Sequence, residues 1–162
     1  MRINQINMIQ RVQSIYLFLA SVVLFALFFF PVVHNVIIDG VSKTIKVDGI
    51  YQDAGGQLVR STSFLALTIV TVILGVLPLV VIFRYKKLKQ QIALCYSLIL
   101  VIIGYSFWMS QTVQQFMNGQ QITTNNWGIG MLLSSISIVF LILAARAIGR
   151  DEKLLKSADR LR

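Results

Sequence analysis

Four stretches of this chain run without a charged side chain for long enough to cross a lipid bilayer as helices, and polar segments separate them. A hydrocarbon core about 30 Å thick needs roughly 20 apolar residues at a helical rise of about 1.5 Å. No Asp, Glu, Lys or Arg falls between Arg11 and Asp39, and Ser14–Val33 inside that gap is almost unbroken apolar sequence. The gap from Arg60 to Arg84 contains Thr62–Phe83. The longest gap, Lys89 to Arg146, is amide-rich in its middle and divides into Ile92–Thr112 and Trp127–Ala145. The pattern predicts four spans, about 14–33, 62–83, 92–112 and 127–145, in one integral membrane domain covering 1–162. Helices buried in a water-soluble bundle would show polar stripes, which these stretches lack. The first is too long for the apolar core of a secretory signal, and Phe28-Phe29-Phe30-Pro31 offers no small-residue cleavage site. It therefore reads as a retained anchor, with Met8 as an alternative start at the polar-to-apolar transition.

The segments between the spans differ in kind. The first external loop, 34–61, holds β-branched runs punctuated by Asp39-Gly40 and Asp48-Gly49. Asp-Gly supplies the positive backbone dihedral of a tight turn, so a small β-hairpin or meander is expected, with Gly55-Gly56 loosening the return to the membrane. The second external loop, 113–126, has no charge and is dense in amides: Gln114, Gln115, Asn118, Gln120, Gln121, Asn125 and Asn126. Trp108, Phe116 and Trp127 flank it as an outer aromatic belt would. An interfacial loop is the first reading and a sugar- or peptide-binding site the less favoured one.

Charge then orients the molecule. There are 15 Lys and Arg against 6 Asp and Glu, a net charge of +9 on a chain that is 56% hydrophobic. Arg2 and Arg11 precede the first span, and Arg84, Lys86, Lys87 and Lys89 fill the connector between the second and third. Arg146, Arg150, Lys153, Lys156, Arg160 and Arg162 lie in the tail, 146–162. In a four-pass topology these twelve share one side, and only Lys43, Lys46 and Arg60 face the other. The positive-inside rule places both termini in the cytoplasm. Because topology accounts for the positive charge, nucleic acid is not an expected partner.

Helices in lipid associate through close contact and hydrogen bonds. Ala93, Ser97 and Gly104 share a face of the third span, and Gly130, Ser134, Ser137, Leu141 and Ala145 share one of the fourth, so both faces are expected to pack inward. Pro78 leaves the Leu74 carbonyl without its helical donor and is expected to kink the second span.

No span contains an Asp, Glu, Lys, Arg or His, the usual pointers to ion paths and membrane-embedded catalysis. His34 is the single histidine and reads as an interfacial side chain, and Cys95, the single cysteine, as a packed thiol. No phosphate-cradling glycine loop, nucleophilic triad or paired CxxC is present. The chain reads as non-enzymatic, with no catalytic, metal or cofactor site. Its tail reads as a cytoplasmic helix extending the fourth span, with Leu154, Ala158 and Leu161 on one face beside Leu155, and a Glu152–Lys156 pair.

The tail residues Arg146-Ala147-Ile148, Asp151-Glu152, Leu154, Ser157 and Asp159-Arg160-Leu161-Arg162 resemble the closing signature of an uncharacterised four-pass inner-membrane family of Bacteroidota, catalogued as a domain of unknown function. Met8-Ile9-Gln10-Arg11-Val12-Gln13-Ser14-Ile15-Tyr16-Leu17 and Gln91-Ile92-Ala93-Leu94-Cys95 are similar to its opening and its third-helix entry. Gly128-Ile129-Gly130-Met131-Leu132-Leu133 lacks the Leu-Pro that the family often carries early in its fourth span. The resemblance implies four spans and an inner-membrane address, and it supplies no activity, ligand or site residue.

The expected fold is thus an all-α, four-helix transmembrane bundle with a small external β-hairpin and a cytoplasmic C-terminal helix. The expected role is that of a structural or accessory subunit presenting basic segments to anionic lipid headgroups, a protein partner or a second copy of itself. Arg84, Lys86, Lys87 and Lys89 would pin the connector at headgroups, while Asp151, Glu152, Asp159 and Arg160 would set the tail's geometry. The alternative is a small oligomeric transporter or channel for a neutral solute, its path lined by serines (Ser134 and Ser137 among them), threonines and the loop amides. Adhesion by analogy with claudin-like proteins ranks last, because the paired loop cysteines of that family are absent.

Overall fold

A computed structural model describes residues 3–38, 40–54, 57–84, 87–117 and 126–159. Helix α1 is Ile3–Ala26, and four strands follow: β1 Val33–Ile38, β2 Val41–Lys46, β3 Gly49–Ala54 and β4 Gln57–Ser63. Three further helices complete the chain, α2 Leu65–Ile82, α3 Leu88–Phe116 and α4 Ile129–Asp159. Each expected span corresponds to one helix, with shifted ends. The first ends earlier than expected: the chain leaves α1 at Ala26 through a turn in which the Leu27, Phe28, Phe29 and Phe30 N–H groups bond back to α1 carbonyls. Pro31 explains the stop, since it has no N–H to donate and disfavours a helical Phe30. Val33, expected within the span, is instead the first residue of β1. Tail and fourth span form one continuous helix, α4.

The external segment is larger than a hairpin. It is a four-stranded antiparallel meander in the order β1-β2-β3-β4. Ile38 pairs with Val41, Lys46 with Gly49 and Ala54 with Gln57, so two residues separate the paired ends at each connection. Gly40 has the expected positive φ of 77°, whereas Asp39 and Gly55-Gly56 lie outside the described residues. The Asp48-Gly49 expectation needs correction. Val47 and Asp48 form that turn, and Gly49 opens β3 without a positive φ. Glycine is required there for space, because a Cβ would run into the Thr62 carbonyl and sit 3.0 Å from the Arg60 Nε. One sheet face, with Val33, Val36, Ile45 and Ile50, is buried.

The sheet sits at one end of the helices and is joined to them by backbone. The Val32 N–H donates to Ile45, the Gly128 N–H to Val32 and the Gly130 N–H to Pro31, at 2.9, 2.9 and 3.0 Å. The Asp48 carbonyl accepts the Phe64 N–H at the start of α2, at 3.0 Å. At the same level the Phe64 and Phe116 rings meet with centroids 5.0 Å apart, bringing the end of α3 to the start of α2.

Within the bundle, α4 packs between α1 and α3, and α1 between α4 and α2, while α2 and α3 meet less extensively. The core includes Leu17, Leu24, Leu74, Ile102, Met109, Leu141 and Ile148. The outer faces are apolar as well: Ile69, Ile73 and Val80 on α2, Leu100, Val101 and Phe107 on α3, and Leu132 and Val139 on α4 are exposed. Water would penalise such a surface and lipid would not.

The α4 face is buried as expected, from Gly130 through Ser134, Ser137 and Leu141 to Ala145. The α3 expectation is overturned. Ala93, Ser97 and Gly104 are exposed, and a Cβ on Gly104 would find nothing within 4 Å. The core side of α3 is Gln91, Cys95, Leu98, Ile102, Tyr105, Met109 and Val113, on the opposite side of the helix. Larger side chains fill the inter-helix space, and the serine hydroxyl expected to reach across bonds back to its own helix, from Ser97 to the Ala93 carbonyl at 2.9 Å.

Candidate functional site

Two groups of residues stand out at the end of the bundle remote from the sheet. The first is the connector between α2 and α3. It turns tightly, with the Arg84 N–H donating to Val81 and the Lys87 N–H donating to Arg84, both at 3.1 Å. Phe83, Arg84, Lys87 and Lys89 are exposed, and Phe83 is 79% accessible. Lys87 caps the start of α3 without a side-chain hydrogen bond. Lys86 lies outside the described residues. An exposed aromatic beside exposed basic side chains is the composition of a headgroup-level segment.

The second group is the last third of α4. Ala144, Ala145, Ala147 and Ile148 are buried, so packing continues past the expected end of the span. Arg146, Arg150, Lys153 and Leu154 are exposed, while Asp151 and Glu152 are half-buried. Oδ2 of Asp151 is buried and has no hydrogen-bond partner among the described residues. The exposed position of Leu154 leaves it free of the bundle. The side chains of Leu155, Lys156, Ala158 and Asp159 lie outside the described set, as do Arg160 and Leu161, and with them the expected Glu152–Lys156 pair. The connector and the end of α4 occupy the same end, since Ile92 in the first turns of α3 lies 4.0 Å from where a Gly149 Cβ would be.

Between the two ends, α2 is tied to its neighbours by polar bonds that spacing alone did not reveal. Ser21 of α1 donates to the Gly75 carbonyl at 2.5 Å. Thr71 and Tyr105 of α3 share a 2.6 Å bond between hydroxyls. Gln91 of α3 donates through Nε2 to the Val81 carbonyl at 3.2 Å, and its Oε1 is buried without a partner among the described residues. The available signal was the few hydroxyl and amide side chains inside charge-free sequence. In such surroundings a buried polar group needs a partner. On α4, Ser137 donates to the Ala20 carbonyl at 3.3 Å, whereas the Ser134 hydroxyl is buried with no partner among the described residues. The Ser137 hydroxyl is thus engaged in helix packing.

The sheet carries one polar cluster. Tyr51 donates its hydroxyl to Asp48 Oδ2, the Arg60 guanidinium donates to the Asp48 carbonyl, and the Lys46 ammonium lies 5.3 Å from the Tyr51 ring centroid. The hydrogen bond to Asp48 raises the Tyr51 pKa above its ordinary value, burial and the Asp48 charge add to this, and Arg60 opposes it. In the amide-rich loop, Asn126 donates to the Asn35 carbonyl at 3.2 Å and Trp127 bridges to Val33. Asn118, Gln120, Gln121 and Asn125 lie outside the described residues. Of the expected aromatic belt, Trp108 is exposed, Phe116 meets Phe64 with the rings tilted by 46° and Trp127 is half-buried.

These features define a class: a membrane-embedded helical bundle carrying an antiparallel sheet at one end. Three helices, Leu65–Ile82, Leu88–Phe116 and Ile129–Leu154, are long and apolar enough to cross a membrane, while the apolar part of α1, Val12–Ala26, is shorter. The chain belongs to the family described as a domain of unknown function (DUF4293), whose model matches residues 9–161. A comparison with curated proteins returns no match.

Proposed function

We propose that this is a non-enzymatic, four-pass protein of a bacterial inner membrane, with both termini cytoplasmic, that acts as an accessory component by holding a basic surface against anionic lipid headgroups. The observation that carries this reading is the grouping of exposed Arg84, Lys87, Lys89, Arg146, Arg150 and Lys153 at one end of a bundle whose lateral surface is apolar. Each basic side chain near an anionic surface contributes about 1 kcal/mol. In this reading α1 crosses as well as the three longer apolar helices, with the turn at Leu27–Phe30 and the exposed Phe29 reaching the outer interface. Half-buried Asp151 and Glu152, with Asp159 and Arg160, set the direction of the tail.

The test replaces Arg84, Lys86, Lys87 and Lys89 together with Gln. Binding of the reconstituted protein to anionic vesicles is expected to weaken, or its cysteine-accessibility topology to become mixed. Unchanged binding together with unchanged topology would remove the proposal.

A further inference from the structure

We propose that α2 is a jointed helix, hinged at Pro78 and latched on each side of that residue by a side chain from a different neighbour. Proline lacks an N–H, so the helix is short of one backbone bond at this point although it runs through without a break. On the sheet side of the joint, Ser21 of α1 holds the Gly75 carbonyl. On the far side, Gln91 of α3 holds the Val81 carbonyl.

The two halves are not equally secured. The sheet-side half has Leu67, Thr71, Leu74 and Gly75 buried, the hydroxyl bond from Thr71 to Tyr105, and its first residues tied to the sheet through Phe64 and Asp48. Beyond Pro78, Val81 is the single buried residue of α2 among those described, and Val80 and Phe83 are exposed. Packing therefore holds the first half more extensively, while the second half has Val81 in the core, Ile82 packed against it and the Gln91 bond. That amide is itself half-satisfied, since its buried oxygen has no partner among the described residues. A segment with few buried contacts and, among the described residues, one interhelical hydrogen bond belongs to the low-stability end of a structure. Removing one such bond shifts a two-state equilibrium by about threefold or more.

The experiment uses the full chain in lipid nanodiscs with Cys95→Ala, and distances between spin labels on introduced cysteines. One pair replaces Phe83 and Leu154 at the end away from the sheet, and the other replaces Leu65 and Ile129 at the sheet end; all four positions are exposed. Gln91→Leu is expected to raise a second Phe83–Leu154 distance, shifted by about 2–5 Å, and to leave the Leu65–Ile129 pair unchanged. Adding Pro78→Ala restores helix continuity and is expected to return the single distance. An unchanged Phe83–Leu154 distribution overturns the proposal, as does an equal change at both pairs or a second distance that persists with Pro78→Ala. If Gln91→Leu does not fold, Gln91→Asn, whose shorter amide does not reach Val81, serves for the same comparison with the same two outcomes.

Discussion

Tyr105 donates its hydroxyl proton to Thr71 across the α2–α3 contact. The assignment follows from proton counting: the Thr71 hydroxyl gives its one proton to the Leu67 carbonyl at 2.7 Å, so Tyr105, 2.6 Å away, must be the donor. Both side chains are buried in apolar surroundings. Removing the donor and removing the acceptor therefore have different consequences. Tyr105→Phe leaves Thr71 bonded to Leu67 and is expected to cost about 0.5–1.5 kcal/mol, whereas Thr71→Val strands a buried tyrosine hydroxyl and is expected to cost about 1–3 kcal/mol. The double variant is expected to cost less than the sum. Unfolding in mixed detergent micelles measures all three, and the reverse order would refute the assignment.

Backbone approach at the start of α4 gives a second test. A Cβ on Gly128 would collide with the Pro31 carbonyl, and one on Gly130 would lie 2.7 Å from it. Gly128→Ala must displace either the end of α1 or the start of α4, at a cost of about 1–3 kcal/mol. Gly104→Ala meets open space and is expected to be neutral or to stabilise by up to about 1 kcal/mol through helix propensity. Thermal unfolding of the two variants side by side checks the contrast.

The two buried serines of α4 are expected to diverge. Ser137→Ala removes a bond to the α1 backbone and is expected to cost about 0.5–1.5 kcal/mol, while Ser134→Ala deletes a hydroxyl with no described partner and is expected to be neutral or stabilising. A marked loss of stability in Ser134→Ala would show that its hydroxyl has a partner.

The sheet provides a pH-dependent signal. The Tyr51 phenol holds its proton more tightly in the folded state than its ordinary pKa of 10.0 implies, chiefly through the bond to Asp48. Its contribution to stability is therefore complete below about pH 10 and is lost as pH rises through the higher folded value. The difference in tyrosinate absorbance between the parent and Tyr51→Phe reports this titration. Asp48→Asn is expected to move the midpoint down, because the carboxylate that accepts the phenol hydrogen bond is lost and, with it, the charge that opposes ionisation.

Charge-free stretches and clustered basic residues, read along the chain, determined the number of helices, their approximate places and the position of a β-rich segment between the first two. A bilayer imposes length and charge rules on each segment separately, and those rules can be read one segment at a time. Two turns of the sheet were legible from Asp-Gly pairs, although Gly49 proved to serve close packing against Thr62 and not a positive φ. The fourth strand was not legible, because Gln57–Ser63 alternates weakly and runs into what reads as the second span.

Only the tertiary structure decided which side of each helix faces inward. In water, a polar stripe marks the outer face. Here the exposed and buried sides of α3 are both apolar, so the small residues Ala93, Ser97 and Gly104 could equally have pointed in, and they point out. The partners of Ser21, Thr71 and Gln91 were likewise undetermined, since a hydroxyl or amide in apolar sequence announces a need for a hydrogen bond without naming the helix that meets it.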